Sequence, residues 1–276
     1  MKLELHCHSF HSKGTKIRTE AIPSPREIVR EAKRKGLDGV ALTDHNEVGG
    51  WGEARAEARK RGLLFIPGIE MNTLEGHVIG LGISEKIPRG LGAEETMDRI
   101  REQGGLAVAP HPFDIRGDGI RELFRKADAA EAFNALNLDR FSNLVSSRRL
   151  GSFPAVAGSD AHTLPLVGRC VNVVEARTLE GVLKEIRKGR VDWHGSYATV
   201  AEVREWAHQR FLRSREEVIR HVQESYPPFR RWLSLRLLDK FLENKGGFFT
   251  LLGYFGIACS FGYGAGKALG GAGLHP

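Results

Sequence analysis

A chain of 276 residues that is 41% hydrophobic is long enough for one large α/β domain with an appendage, and it is globular over most of its length. Its three cysteines, Cys7, Cys170 and Cys259, stand far apart without a CxxC pair, which argues against a disulfide framework or a zinc knuckle and for a reducing compartment. A formal net charge of +7 favours acidic partners without choosing between phosphorylated small molecules, nucleic acid and an anionic membrane face.

The opening residues MKLELHCH enter a strand pattern directly, with no basic stretch leading into an apolar one, so no secretory leader is expected, and the expected placement is cytoplasmic, with membrane association through the C-terminal tail as the alternative. The stretch LHCHSFHSKGT holds three of the chain's 11 histidines. Strand alternation puts His6 and His8 on one face, suited to gripping one ion, while Cys7 points away as a small apolar residue. At this point a satisfied histidine pair at a strand end explains the two residues equally well.

From Lys2 to about Trp193, apolar runs alternate with segments of helical period. LELHCH, GVALTDH, LLFIPGIEM, HVIGLGI, LAVAPHP, AAEAFNA, PAVAGSDAH and VNVVEA have the character of strands. SPREIVREAKRKG, GWGEARAEARKRG, GAEETMDRIREQGG, IRELFRKA and LEGVLKEIRKG are the helix candidates between them. Such alternation means parallel strands with crossover helices, in number suited to a closed or nearly closed barrel, the alternative being an open doubly wound sheet. His6, His8, Asp44, His45, Glu70, His111, Asp160 and His162 fall at or just after the C-terminal ends of these runs, where a parallel barrel gathers its active site. His77 instead begins HVIGLGI, so that strand is expected to run antiparallel or to be distorted.

After Gly195 the pattern changes. Residues 200–224 place Val203, Ala207, Phe211, Val218 and Val222 near one face of an amphipathic helix, SYPPF stops it, and residues 230–245 form a second helix. Residues 204–245 carry ten Lys/Arg against six Asp/Glu, a face that is solvated or that touches nucleic acid or lipid headgroups. Residues 246–266 hold no charge but include seven glycines, so a membrane span competes with a glycine-rich hairpin packed on the barrel or in an oligomer interface. The expected units are therefore 1–195, a barrel; 196–245, a basic helical segment; and 246–276, a glycine-rich apolar tail.

Imidazoles and carboxylates delivered together from separate strands suit borderline divalent ions such as Zn, Mn or Fe, and no serine stands in a nucleophile-elbow context. The motifs HCHSFHSKG, LTDHN, PGIEM followed by GHVIGLGI, APHPF and AGSDAH, in this order, resemble those of the polymerase and histidinol phosphatase (PHP) superfamily of metal-dependent phosphoesterases. That resemblance implies a distorted seven-stranded (β/α)7 barrel, with a C-terminal helical appendage added here, and two or three divalent ions. It implies that His6, His8, Glu70 and Asp160 hold one ion, that Glu70 bridges to a second completed by His77 and His111, and that His45 and His162 belong to a third. Asp44 is expected to orient a neighbouring ligand or loop.

The chain departs from the family where an Asp or His usually follows the second histidine, since Lys13 and Gly14 stand there. A protonated lysine does not ligate, so Lys13 is expected to replace the third ion's charge against phosphate, with His11 swinging in as the competing explanation. Arg169 in LVGRC is a further candidate phosphate contact. The function expected from all this is phosphoester hydrolysis, with a metal-bridging hydroxide attacking phosphorus and Glu70, Lys13 and Asp44 in the catalytic machinery. The alternatives are a nuclease, either a 3'-5' exonuclease or a phosphodiesterase acting on DNA or RNA ends, and a non-catalytic metal-binding scaffold.

Overall fold

The computed structural model describes residues 1–14, 19–243 and 247–271, with side chains through 259. Its α/β part runs β1 (Lys2–Glu4), α1 (Pro25–Arg34), β2 (Gly39–Leu42), α2 (Trp51–Arg61), β3 (Leu64–Asn72), β4 (His77–Leu81), α3 (Ala93–Glu102), β5 (Leu106–Ala109), β6 (Ala129–Asn134), α4 (Phe141–Leu150), β7 (Ala155–Gly158), β8 (Cys170–Val173), α5 (Leu179–Arg187) and β9 (Asp192–Gly195). Local chemistry accounts for the entry into α1: Ser24 and Glu27 form a reciprocal capping box and Pro25 takes the first helical position. The segment IRELFRKA makes a 3₁₀ helix over Arg121–Lys126 rather than an α-helix.

The described strands form one sheet in the order β7-β6-β5-β4-β3-β2-β1-β8-β9. Parallel pairs β1–β2, β2–β3, β5–β6 and β6–β7 are interrupted by β4, which is antiparallel to both neighbours. The turn from β3 to β4 is closed by Thr73 N–H donating to Gly76 O at 2.8 Å, and Gly76 has φ 143. A link that short makes a hairpin, because a parallel return needs a long crossover. Beyond the seven strands of the expected barrel, β8 and β9 add an antiparallel pair beside β1.

Between β7 and β8 the barrel is joined by side chains. The Asn172 carboxamide accepts from Ala157 N at 2.9 Å and donates to Ala157 O at 2.8 Å, and Cys170 N donates to Ser159 Oγ at 2.8 Å. The sheet is thus a nearly closed barrel, not an open doubly wound sheet.

Leu3, Ala41, Ile66, Ile79, Leu106 and Val156 pack in one buried cluster with Val182, Leu183 and Ile186 of α5. Glu70 lies four residues after Ile66, and Glu131 two after Ala129 of the same cluster. Period-two alternation therefore carries an apolar filling at one end of the barrel into carboxylates at the other.

The C-terminal part forms α6 (Val200–Arg213), α7 (Arg215–Ser225), α8 (Pro228–Glu243) and α9 (Gly247–Gly271). What the periodicity of residues 200–224 presents as one helix is broken at Ser214, whose φ of −110° leaves the helical region. α6 straps the loop after the first motif: Trp206 Nε1 donates to Glu20 O, Arg210 Nε to Thr19 O and Arg213 to Ile22 O, at 2.8, 2.9 and 3.1 Å. The apolar tail forms a helix rather than a hairpin, and a Cβ at Gly253 would lie 2.6 Å from Val200 Cγ1, so glycine permits close approach to α6. Among the described residues no helix is long and apolar enough to cross a membrane.

Asn172→Leu tests the side-chain joint. It leaves the Ala157 N–H and C=O without partners in a fully buried position and is expected to cost about 2–4 kcal/mol. The measurement is a shift of the urea midpoint at unchanged m-value; an unshifted midpoint would mean that other contacts hold the joint.

Candidate metal centre

The strand ends deliver the expected donors to one buried cluster. Glu70 is its hub. Its Oε2 lies 3.1 Å from His6 Nε2 and 3.2 Å from both His8 Nε2 and His45 Nε2. Its Oε1 lies 3.1 Å from His77 Nδ1 and 3.3 Å from His111 Nε2. Asp160 Oδ1 approaches His8 Nε2 to 3.2 Å and both His6 Nε2 and His162 Nδ1 to 3.5 Å. Among the described residues, three groups have donor atoms close enough for a shared ion: His6, His8 and Glu70; His8, Asp160 and His162; and His45, Glu70 and His77. β4 runs antiparallel as expected, and this brings its first residue, His77, to the hub.

The backbone is bent to make this convergence. His111 and Asp160 both have positive φ, 29° and 51°, where residues with side chains are strained, and such strain collects at functional sites.

The donor chemistry fits divalent ions. Glu131 Oε1 accepts from His6 Nδ1 at 2.8 Å and leaves His6 Nε2 facing Glu70 Oε2 and His8 Nε2, each 3.1 Å away. Ring nitrogens and carboxylate oxygens packed this closely repel unless protons or a metal ion lie among them. His77 Nδ1, although close to Glu70 Oε1, has no hydrogen-bond partner.

The pKa directions report the same crowding. Burial opposes charge on His8, but hydrogen bonds to Asp160 and Glu70 push its pKa up to about 9. Burial, reinforced by nearby imidazoles, brings His45 down to about 3 and His162 to about 4. Burial works to raise Glu70 and Asp160, yet the surrounding histidines hold both well below the usual carboxylate range.

A supporting layer orients the donors. Asp44 accepts from Ser9 N and Ser9 Oγ at 2.5 and 2.7 Å, fixing the first-motif loop as an orienting residue would; burial lifts its pKa to about 7. Asn72 Oδ1 meets His45 Nδ1 at 2.9 Å, and Ser12 Oγ meets His8 Nδ1 at 3.2 Å. Glu131 also accepts from His111 N and from Asn134 Nδ2, both at 2.9 Å. Glu131 and Asn134 escaped the sequence reading of ligands, although AEAFNALN contains both.

Three expected residues lie elsewhere. The Lys13 side chain is 61% exposed and pairs with Glu47 at 3.2 Å, so it points away from the donors it was expected to serve. His11 is tilted against Phe10, with ring centroids 4.5 Å apart, and packs beside Gly49. Arg169 pairs with Glu202 of α6 and anchors the appendage. The cavity beside the donors has a volume of about 210 Å³, and its walls include Arg116, Arg210 and Trp206. Trp206 stands against His162, with centroids 4.5 Å apart. None of these three stands in a recognisable motif.

A nearly closed α/β barrel whose mouth gathers imidazoles around a buried carboxylate is the architecture of a metal-dependent hydrolase. The family model described as PHP domain matches residues 4–164, and one described as PHP-associated matches residues 148–191. The chain belongs to the PHP domain family and is a phosphoesterase by class. It is 39% identical over 158 residues to an uncharacterized protein of Methanocaldococcus jannaschii, covering 54% of this chain and 91% of that one. It is also similar to a 5'-3' exoribonuclease of Haemophilus influenzae, 32% identical over 111 residues, and to a 3',5'-nucleoside bisphosphate phosphatase of Chromobacterium violaceum, 34% identical over 116 residues. Each of these two matches covers 39% of this chain and spans 38% of the relative's length. A two-domain Bacteroides vulgatus protein containing a predicted PHP-like metal-dependent phosphoesterase shares the fold, with a TM-score of 0.57, 18% identity, and coverage of 77% of this chain and 69% of that one.

Gly158→Ala probes the supporting layer without touching a donor. A Cβ there would lie 1.7 Å from Glu131 Oε1, so the carboxylate must release His6. Metal affinity is expected to fall about 10–100-fold while the chain stays folded. Isothermal titration with Mn checks this, and unchanged affinity would show that Glu131 does not orient the donors.

Proposed function

We propose that this chain hydrolyses small phosphate monoesters or nucleotides with two or three divalent ions, Zn, Mn or Fe, held by His6, His8, His45, Glu70, His77, His111, Asp160 and His162. The observation that carries the reading is the division of five imidazoles between the two oxygens of Glu70, three on Oε2 and two on Oε1. A carboxylate so divided suits a bridge between two ions. When bound, such ions supply an activated water and Lewis acidity toward phosphoryl oxygens.

The chain's own residues do the rest. Glu131, Asn72 and Ser12 hold the imidazoles in orientation, and Asp44 fixes the Ser9 loop beneath them. Arg210, and Arg116 paired with Asp114 at 2.7 Å, stand in the cavity wall where a phosphoryl group would enter, whereas Lys13 and Arg169 do not line it. A volume of about 210 Å³, walled by Trp206 and Leu136, suits one phosphoryl group with a small leaving group better than a polymer track. The full donor set speaks against a non-catalytic scaffold.

Purified full-length protein, assayed with Mn, Zn or Fe against phosphomonoesters, nucleoside bisphosphates and short oligonucleotides, tests the proposal. Small phosphoesters are expected to be the better substrates. Turnover confined to oligonucleotides, with binding that weakens steeply in salt, would instead establish the nuclease reading. His6→Ala, Glu70→Ala and Asp160→Ala are each expected to lose more than about 100-fold in turnover. His208→Ala, whose ring reaches Leu242 O at 3.0 Å in the appendage, is expected to keep the parent's rate; full activity in Glu70→Ala would sink the two-ion arrangement.

A further inference from the structure

Positions 13 and 14 supply no ligand, yet the space beside His45 is filled by another acid. Glu20 is only 4% exposed and lines the cavity together with His45, Asp160 and His162. Its Oε2 accepts from Gly14 N at 2.7 Å. Its Oε1 is 3.9 Å from His45 Nε2, too far for a hydrogen bond. Ligand distances of about 2.0–2.2 Å on either side of one ion span just such a separation. A Cβ at Gly14 would lie 2.6 Å from His45 Cγ and 2.9 Å from Glu20 Oε1, so the glycine that replaces a family ligand also leaves room for the approach of Glu20.

The position of Glu20 is imposed by the appendage. Trp206 Nε1 holds Glu20 O, the Arg210 guanidinium holds Thr19 O, and Ile22 N donates to His162 O at 3.0 Å. The same indole stands against the His162 ring. The strap is thus fixed to α6 on one side and to the donor cluster on the other.

Resting on the metal reading above, we infer that Glu20 ligates a further divalent ion on the His45 side of the centre, and that Trp206 is the positioning residue that sets it there. The bottom of the first motif gives up its ligand, and a carboxylate strapped in place by a helix far along the chain takes over. Gly14 N–H occupies one carboxylate oxygen and fixes the direction of the other.

The test is the metal content of full-length protein, by inductively coupled plasma mass spectrometry after Mn loading and desalting, with Mn affinities from titration calorimetry. Glu20→Gln is expected to hold one ion fewer per chain than the parent, with the remaining affinities unchanged. The same count and affinities as the parent would overturn the assignment while leaving the Glu70 centre standing; a parent that binds no divalent ion would overturn both. Should Glu20→Gln melt far below the parent, Trp206→Phe decides, since it keeps a ring on His162 and removes only the N–H that holds Glu20 O. It is expected to weaken the most weakly held ion about tenfold and leave the others unaltered, and no change in any affinity would overturn the proposal.

Discussion

One buried carboxylate, Glu70, organises this molecule. It is 1% exposed and stands among five imidazoles, an arrangement that is electrostatically tolerable only with protons or metal ions among the donors. The barrel serves that requirement. Strand alternation turns an apolar interior into a polar mouth, the antiparallel β4 brings His77 beside Glu70, and the left-handed backbone at His111 and Asp160 turns two more donors inward. The paired side chains of Asn172 and Ser159 stand where a continuous ladder would otherwise be needed, and they join β8 to the strand that precedes Asp160.

The appendage belongs to the same arrangement. α6 contributes Trp206 and Arg210 to the cavity wall and holds the loop that carries Glu20, while Arg169 and Glu202 tie its first turn to the start of β8. A contact spanning 186 positions in sequence therefore shapes the ground on which a substrate would lie. The small cavity and its two arginines explain why the proposed substrate is a small phosphoester, and why the positive charge of the outer helices is not needed at the reacting group.

Much of the centre was legible because strand ends leave a regular trace. His6 and His8 share a face by alternation, and the remaining donors close apolar runs or, for His77, open one. Other features left no such trace. Glu131 has the spacing of an ordinary strand residue, and only the fold shows that it faces His6. Glu20 is brought into place by α6, so no local pattern announces it. Lys13 and Arg169 occupy suggestive sequence positions, but side-chain direction depends on Glu47 and Glu202, distant acids that capture them. α4 escaped detection because its inward face is polar: Asn143 exchanges hydrogen bonds with the backbone of Asn134, and Asp139, one residue ahead of the left-handed Arg140, accepts from Ser142 N in the first turn. Helical periodicity alone runs across Ser214, where the chain turns out of α6.

The bridging role of Glu70 is open to direct observation by electron paramagnetic resonance of full-length protein titrated with Mn(II). Two ions sharing one carboxylate lie a few ångströms apart and couple magnetically. The expected spectrum is that of a spin-coupled pair in the parent, replaced by isolated Mn(II) in Glu70→Gln. Isolated Mn(II) in the parent at saturating metal would contradict a centre built on Glu70.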